Sequence, residues 1–325
     1  MQSGVCLVPI RNLSIESVFK IDDIIFSPTY TKDDVKDLSY TDTVTKDEFE
    51  EIQNYIKGLK SSIYSSLENT VVAIIKDDKI KCANVQEASM FINNVCEKID
   101  RSLDYFRLSY CRIGLYETLP SLPGIIDGFK SVYIFDNNSQ KYKLIVGDEI
   151  SILYQKGIGL QISIDPSKRD LNNIDSKCIF SKRTDEVFIN CRTALTRVNE
   201  AMYMTNLNAA FIYLMSTIEM LADRNKYLQF SKVKSKILPF LAEDKKQYHE
   251  LSKFTKHLSK DIREQVVHNG KNIYELYTYK EQVERELFRL TGLIVNYVRK
   301  VISLDIYTFK ELEEKRKELK YSLGI

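Results

Sequence analysis

Two residues with acid–base and phosphate-binding chemistry stand close together in the run Arg263-Glu264-Gln265-Val266-Val267-His268-Asn269-Gly270. A histidine can give and take a proton near neutral pH, and an arginine can hold a phosphate through two parallel hydrogen bonds. Leu251, Phe254, Leu258, Ile262 and Val266 precede and overlap this run at steps of three and four, which predicts one apolar stripe on a helix. Asn269-Gly270 is a stop signal, because both residues tolerate the left-handed conformation at a helix end. His268 therefore falls in the last turn, where the helix dipole favours a cation. The spacing raises a geometric problem. Residues five apart on an α-helix point about 140° apart, at roughly 100° per residue. Either the helix loosens before His268, or Arg and His converge from two chains across a two-fold axis.

A line of cations leads to this point. Lys253, Lys256, Lys260 and Arg263 follow one another at steps of three, four and three, away from the apolar stripe. Such a face can track a phosphate backbone, and it can equally be a solvated outer surface. Glu219 lies in a helical stretch that is otherwise nearly uncharged from Phe211 to Leu221. A carboxylate there needs a partner or water, and Arg263 is one candidate. His249 and His257 share the helix of the basic line; they read as surface residues, with no partner evident.

These residues need a scaffold. A chain of 325 residues suits two domains rather than one core. The first half alternates strands and helices. Strands are expected at Val5–Ile10, Ser17–Phe26, Thr70–Ile75, Arg107–Tyr116, Ser131–Phe135, Lys141–Val146 and Gly159–Ile164. Helices are expected at about Lys46–Leu59 and Asn84–Leu103, a hairpin turn at Asp136–Ser139, and a loop at Pro120–Gly124. A polar stretch with Lys168, Arg169, Asp170, Asn172 and Asn173 follows. Beyond it helical periodicity dominates, with helices near Glu186–Met204, Leu207–Leu221, Lys232–Leu241, Leu251–Val266, Leu287–Val301 and Thr308–Leu319. The fold class is α+β: a mixed α/β domain over residues 1–165, a linker over 166–184, and a helical bundle over 185–325.

Composition narrows the function classes. The net charge is only +2, so nucleic-acid binding requires a local patch. No apolar run reaches the roughly 18 residues of a membrane span, and the N-terminus does not read as a signal peptide. The six cysteines are scattered, without a CxxC pair, and read as buried free thiols; with three histidines, a zinc site is not expected.

The segment from about Glu186 to Lys271 resembles the Apea-like branch of the HEPN superfamily. Three features carry the resemblance: the apolar helix ending Ser216-Thr217-Ile218-Glu219-Met220-Leu221, the amphipathic Lys232–Leu241 segment, and the Arg-x4-His run of Arg263 and His268 followed by Gly270. The resemblance implies a C-terminal HEPN-like bundle and an endoribonuclease that needs no metal or other cofactor. It also implies a cytoplasmic homodimer through that bundle, in an antiphage or toxin system. Arg263 and His268 match the motif and are then catalytic; beside them Glu219, Glu264 and Asn269 are expected to support the site, and the line of Lys253, Lys256 and Lys260 is expected to bind RNA. The N-terminal domain is then expected to sense a phage-derived or protein trigger. Glu264 departs from the small polar residue common after the motif Arg, and it can repel phosphate or pair with Arg263. The alternative reading is a non-catalytic HEPN module that binds RNA or a protein partner.

Overall fold

The structure of the protein is a computed structural model. It describes residues 2–29, 38–63, 67, 70–80, 82–126, 128–137, 141–149, 159–162, 177–179, 181–226 and 228–325. The architecture is α+β. The chain forms two compact units. One comprises Met1–Leu103 with Glu117–Asp170, and the other Asp104–Tyr116 with Leu171–Ile325.

The first unit is built on a sheet. Its strands are β1 (Gln2–Ile10), β2 (Leu13–Ile15), β3 (Ser17–Ile21), β4 (Ile24–Pro28), β5 (Ser39–Tyr40), β6 (Val71–Ile80), β7 (Ile125–Ile126), β8 (Phe129–Asp136), β9 (Lys141–Glu149) and β10 (Leu160–Ile162). Eight of them form one sheet in the order β5-β3-β4-β6-β1-β8-β7, with β9 also paired to β8; β10 pairs with β2 separately. β1 is central. Cys6 faces Ile75 of β6 and Ile134 of β8 across antiparallel ladders. Helix α1 (Lys46–Ile63) covers one face, packing Phe49, Ile52 and Ile56 against Val5, Leu7, Val72 and Ile74. Alternate β1 residues point the other way. There Val8 lies with Cys96 of helix α2 (Val85–Tyr110) around Gly124. Gly124 has φ +81°, and a Cβ would meet the Cys96 sulfur at 2.7 Å, so only glycine fits. All six cysteines are free, and all but Cys82 are buried.

The expected strand Arg107–Tyr116 is not one. Helix α2 continues to Tyr110, and the segment then turns into a 3-10 turn at Tyr116–Thr118. The β-prone residues of this stretch suggested a strand, but the buried stripe of Ile92, Cys96, Ile99, Leu103 and Phe106 keeps helical spacing through it. Buried Arg107 pairs with Asp104 at 3.0 Å, an i,i+3 contact that needs helical winding. The strands β2, β5 and β7, of two or three residues each, were too short to be read from periodicity. Most of the polar stretch at 166–184 lies outside the described residues, as do parts of the expected turn at Asp136–Ser139 and of the strand at Gly159–Ile164.

The second unit is helical. Its α-helices after residue 171 are α3 (Glu186–Met202), α4 (Leu207–Ala222), α5 (Phe230–Ile237), α6 (Lys245–His257), α7 (Lys280–Ser303) and α8 (Phe309–Leu323). Side-chain caps start several of them: Asp185 accepts from Phe188 N, Asn206 from Ala209 N, and Asp244 from Gln247 N. The Lys232–Leu241 segment begins two residues earlier than expected, and at Leu238–Phe240 it tightens into a 3-10 turn around Pro239, which has no N–H to donate. Helix α4 is apolar on most sides and packs against α3, α5 and α7. Among the described residues no helix is long and apolar enough to cross a membrane.

Residues 104–116 are part of this unit's packing. The Arg112 guanidinium lies 4.7 Å from the Phe288 ring of α7, and the Tyr116 hydroxyl donates to the Met204 carbonyl at 2.7 Å. A fragment beginning at Leu171 lacks both contacts. We expect it to be less stable than the same unit in the whole chain by about 1–3 kcal/mol. Amide exchange of α3 and α7 in the two proteins measures this; equal rates would show that the segment adds nothing.

Candidate functional site

Helix α6 does not end at His257. It continues without a break into a π-helical segment, Leu258–His268. The apolar stripe shows why the two windings fit together. Phe254, Leu258, Ile262 and Val266 are all buried and stand four residues apart. A step of four overshoots a full α turn but falls short of a full π turn, whose hydrogen bonds join residues five apart. One α step and two π steps therefore offset each other, and the stripe stays on the core.

The same winding narrows the angle between Arg263 and His268. Five residues overrun one α turn by about 140°. Where the hydrogen bonds run i to i+5 the overrun shrinks to roughly 50°, so the two residues fall on the same side of the segment. The step of three from Lys260 to Arg263 falls further short of a full turn than it does in an α-helix. Arg263 thereby leaves the basic line and turns toward α4. Lys253, Lys256 and Lys260 are exposed, and among the described residues none forms an ion pair.

Arg263 meets Glu219. Its Nη2 lies 3.1 Å from the Glu219 Oε1, with side-chain exposures of 27% and 18%. The geometry is that of an ion pair rather than an aligned hydrogen bond, since this shielded oxygen receives none. Burial pushes the Glu219 carboxyl above the usual range, and the Arg263 charge pulls it back. Glu264 is exposed and has no ion-pair partner among the described residues, so the guanidinium is held by Glu219 and not by its sequence neighbour.

His268 is the last π residue and is exposed; among the described residues nothing hydrogen-bonds its ring. The chain end behind it is well tied. Asn269 donates to the Gln265 side chain at 3.1 Å, Gly270 takes φ +66°, and Lys271 N donates to Gln265 O at 3.1 Å. Asn208, in the first turn of α4, accepts from Ile273 N at 2.8 Å. Helix α4 thus holds the segment at two places, Arg263 through Glu219 and the exit from His268 through Asn208.

Several partners escaped the sequence reading. His257, expected to be alone on the surface, lies 2.8 Å from Asp261 through Nδ1 and 3.2 Å from the Tyr277 hydroxyl through Nε2. The i,i+4 spacing of His257 and Asp261 was the available signal; Tyr277 left none. Burial, then Glu286 and Asp261, push the Tyr277 phenol upward. His249 is exposed, and its ring centre lies 6.0 Å from that of Tyr248 at a steep angle. Arg197 of α3 donates to Ser216 at 2.6 Å and stacks 4.2 Å from the Tyr213 ring centre. Ser216 and Glu219 are three residues apart, so this second guanidinium reaches the same strip of α4. Among the described residues no three His, Cys, Asp or Glu side chains cluster in a way that could hold a metal ion.

No protein-family model matches the chain, and no curated protein or solved structure matches it. The geometry therefore carries the functional argument.

The raised Glu219 carboxyl has a pH consequence. A carboxyl whose folded pKa lies above its unfolded value adds stability while protonated and loses it as pH rises through the folded pKa. Removing Arg263 takes away the charge that limits this shift. We expect Arg263→Ala to cost more stability at pH 7.5 than at pH 5 in urea melts. The double variant Arg263→Ala/Glu219→Gln should lose that difference. An Arg263→Ala penalty that is equal at both pH values would show that the pair is not coupled.

Proposed function

We propose that this chain is a metal-independent endoribonuclease of the HEPN type, acting as a homodimer through its helical unit. The observation that supports the reading is the π-helical winding of Leu258–His268, whose wider turn puts Arg263 and His268 on the same side of an exposed helix end. RNA cleavage of this kind uses the substrate's own 2′-hydroxyl. One His268 takes the 2′-hydroxyl proton as the 2′-oxygen bonds to phosphorus. The His268 of a second copy gives a proton to the 5′-oxygen as its bond to phosphorus breaks. Arg263, steadied by Glu219, stabilises the charge on the phosphorane oxygens. The products are a 2′,3′-cyclic phosphate and a 5′-hydroxyl. Glu264 and Asn269 flank the site, and Asn269 secures the turn that ends the segment. We place the protein in the cytoplasm, in antiphage defence or a toxin system, with its N-terminal unit receiving a phage-derived or protein trigger.

One observation favours a second reading. The Arg263 guanidinium is already engaged by Glu219, with Glu264 beside it in sequence. That arrangement suits a non-catalytic module which binds RNA or a protein partner.

Cleavage assays separate the two. We expect His268→Ala to lower the rate by about 10²–10⁴-fold. Arg263→Ala should do likewise, read against Glu219→Gln so that an uncompensated carboxylate is not mistaken for lost catalysis. EDTA should leave the rate unchanged, and 2′-O-methyl RNA should resist. Cleavage of the methylated RNA, or inhibition by EDTA, would refute the mechanism. A wild-type protein that binds RNA and never cuts it would establish the second reading.

A further inference from the structure

The basic surface beside the site is wider than the line seen in the sequence, because a second helix adds to it. Residues 230–260 hold eight lysines against three carboxylates, in a chain whose net charge is only +2. Helix α5 contributes to it directly. The Lys234 ammonium donates to the Ser252 hydroxyl of α6 at 3.4 Å. Ser252 and Lys256 are four residues apart and share a helix face, so Lys234 is held beside Lys256. Lys260 continues that face one turn further, and Lys253 flanks it. None of these four lysines forms an ion pair among the described residues. By contrast, Lys236, two residues beyond Lys234, is paired with Asp223 at 3.2 Å.

Solvated lysines on a plain outer surface splay apart to reduce repulsion. Lys234 does not: it is partly buried and tied to the helix that carries Lys256. Burial and then the Lys256 charge push its ammonium pKa downward. Two close cations without a carboxylate cost energy that a bound anion relieves.

We propose that Lys234 of α5, with Lys253, Lys256 and Lys260, forms a track for the phosphodiester backbone of RNA, binding it without regard to sequence. The track rests on the nuclease reading only in its direction, since it runs along α6 into the π segment that carries Arg263 and His268. The lysines offer point charges with no planar donors aimed at base edges, so they position the strand and do not read it.

The test uses the full chain carrying His268→Ala, with fluorescence anisotropy of two single-stranded RNAs of unrelated sequence at several salt concentrations. We expect Lys234→Gln/Lys256→Gln to weaken both RNAs alike, roughly tenfold at 0.15 M salt. The slope of log affinity against log salt should shrink by about 1.4, at roughly 0.7 per phosphate contact on a single strand. Lys317→Gln on α8 should change neither. Unchanged affinity and slope in the double variant, or a loss confined to one sequence, would overturn the track. If the track behaves as expected and the wild type cuts no RNA, the nuclease reading fails alone. If the wild type cuts RNA and the double variant binds normally, the track fails alone.

Discussion

The i-to-i+5 hydrogen bonding of Leu258–His268 is the constraint on which the candidate site depends. In α winding, a histidine five residues after an arginine looks away from it, and no side-chain rotamer easily closes an angle of about 140°. The wider turn places both along one side while leaving Ile262 and Val266 buried. π-helical segments are rare, and where they occur they are frequently at functional sites, because their hydrogen-bond geometry needs tertiary support to persist. Here the support is the apolar stripe on one side and helix α4 on another.

Helix α4 is the element that makes the segment a site. Its apolar faces fix it among α3, α5 and α7, and two of its polar residues, Glu219 and Asn208, reach the motif and its exit. Glu219 takes the Arg263 guanidinium, Asn208 takes the backbone just past Gly270, and Ser216 takes Arg197. A guanidinium held at its rim by one carboxylate is fixed in direction and keeps several donors for a second anion. The His257–Asp261–Tyr277 contacts tie the start of the π segment to the chain ahead of α7 in the same way. The exposed imidazole of His268 is the part left open.

Much of this was legible in the sequence, and what was not has identifiable causes. The helical periodicity of the second unit and the β-rich first half follow from steps of four and of two, which the core enforces. The pairing of Glu219 with Arg263 could be anticipated because a lone carboxylate on an apolar helix needs a cation. The π winding was only one of two open answers, although a signal was present: Phe254, Leu258, Ile262 and Val266 never take a step of three. On an α-helix their three steps of four drift by about 120°. Arg107–Tyr116 misled because β-prone residues can also end a buried helix. Lys234, Arg197 and Tyr277 were invisible because their contacts join segments 18 or more residues apart.

The alignment of residues 263 and 268 can be measured without reference to activity. Two histidines on one side of a helix, about a turn apart, chelate a divalent metal; two that point 140° apart do not. Titration of Zn²⁺ or Cu²⁺ into the Arg263→His variant, against Arg263→Ala as the control, reads this directly. The π winding predicts a metal site at least tenfold tighter in Arg263→His than in Arg263→Ala, about 1.4 kcal/mol of chelation. Equal affinity in the two variants would mean that the segment winds as an ordinary α-helix and that Arg263 and His268 do not share a site within one chain.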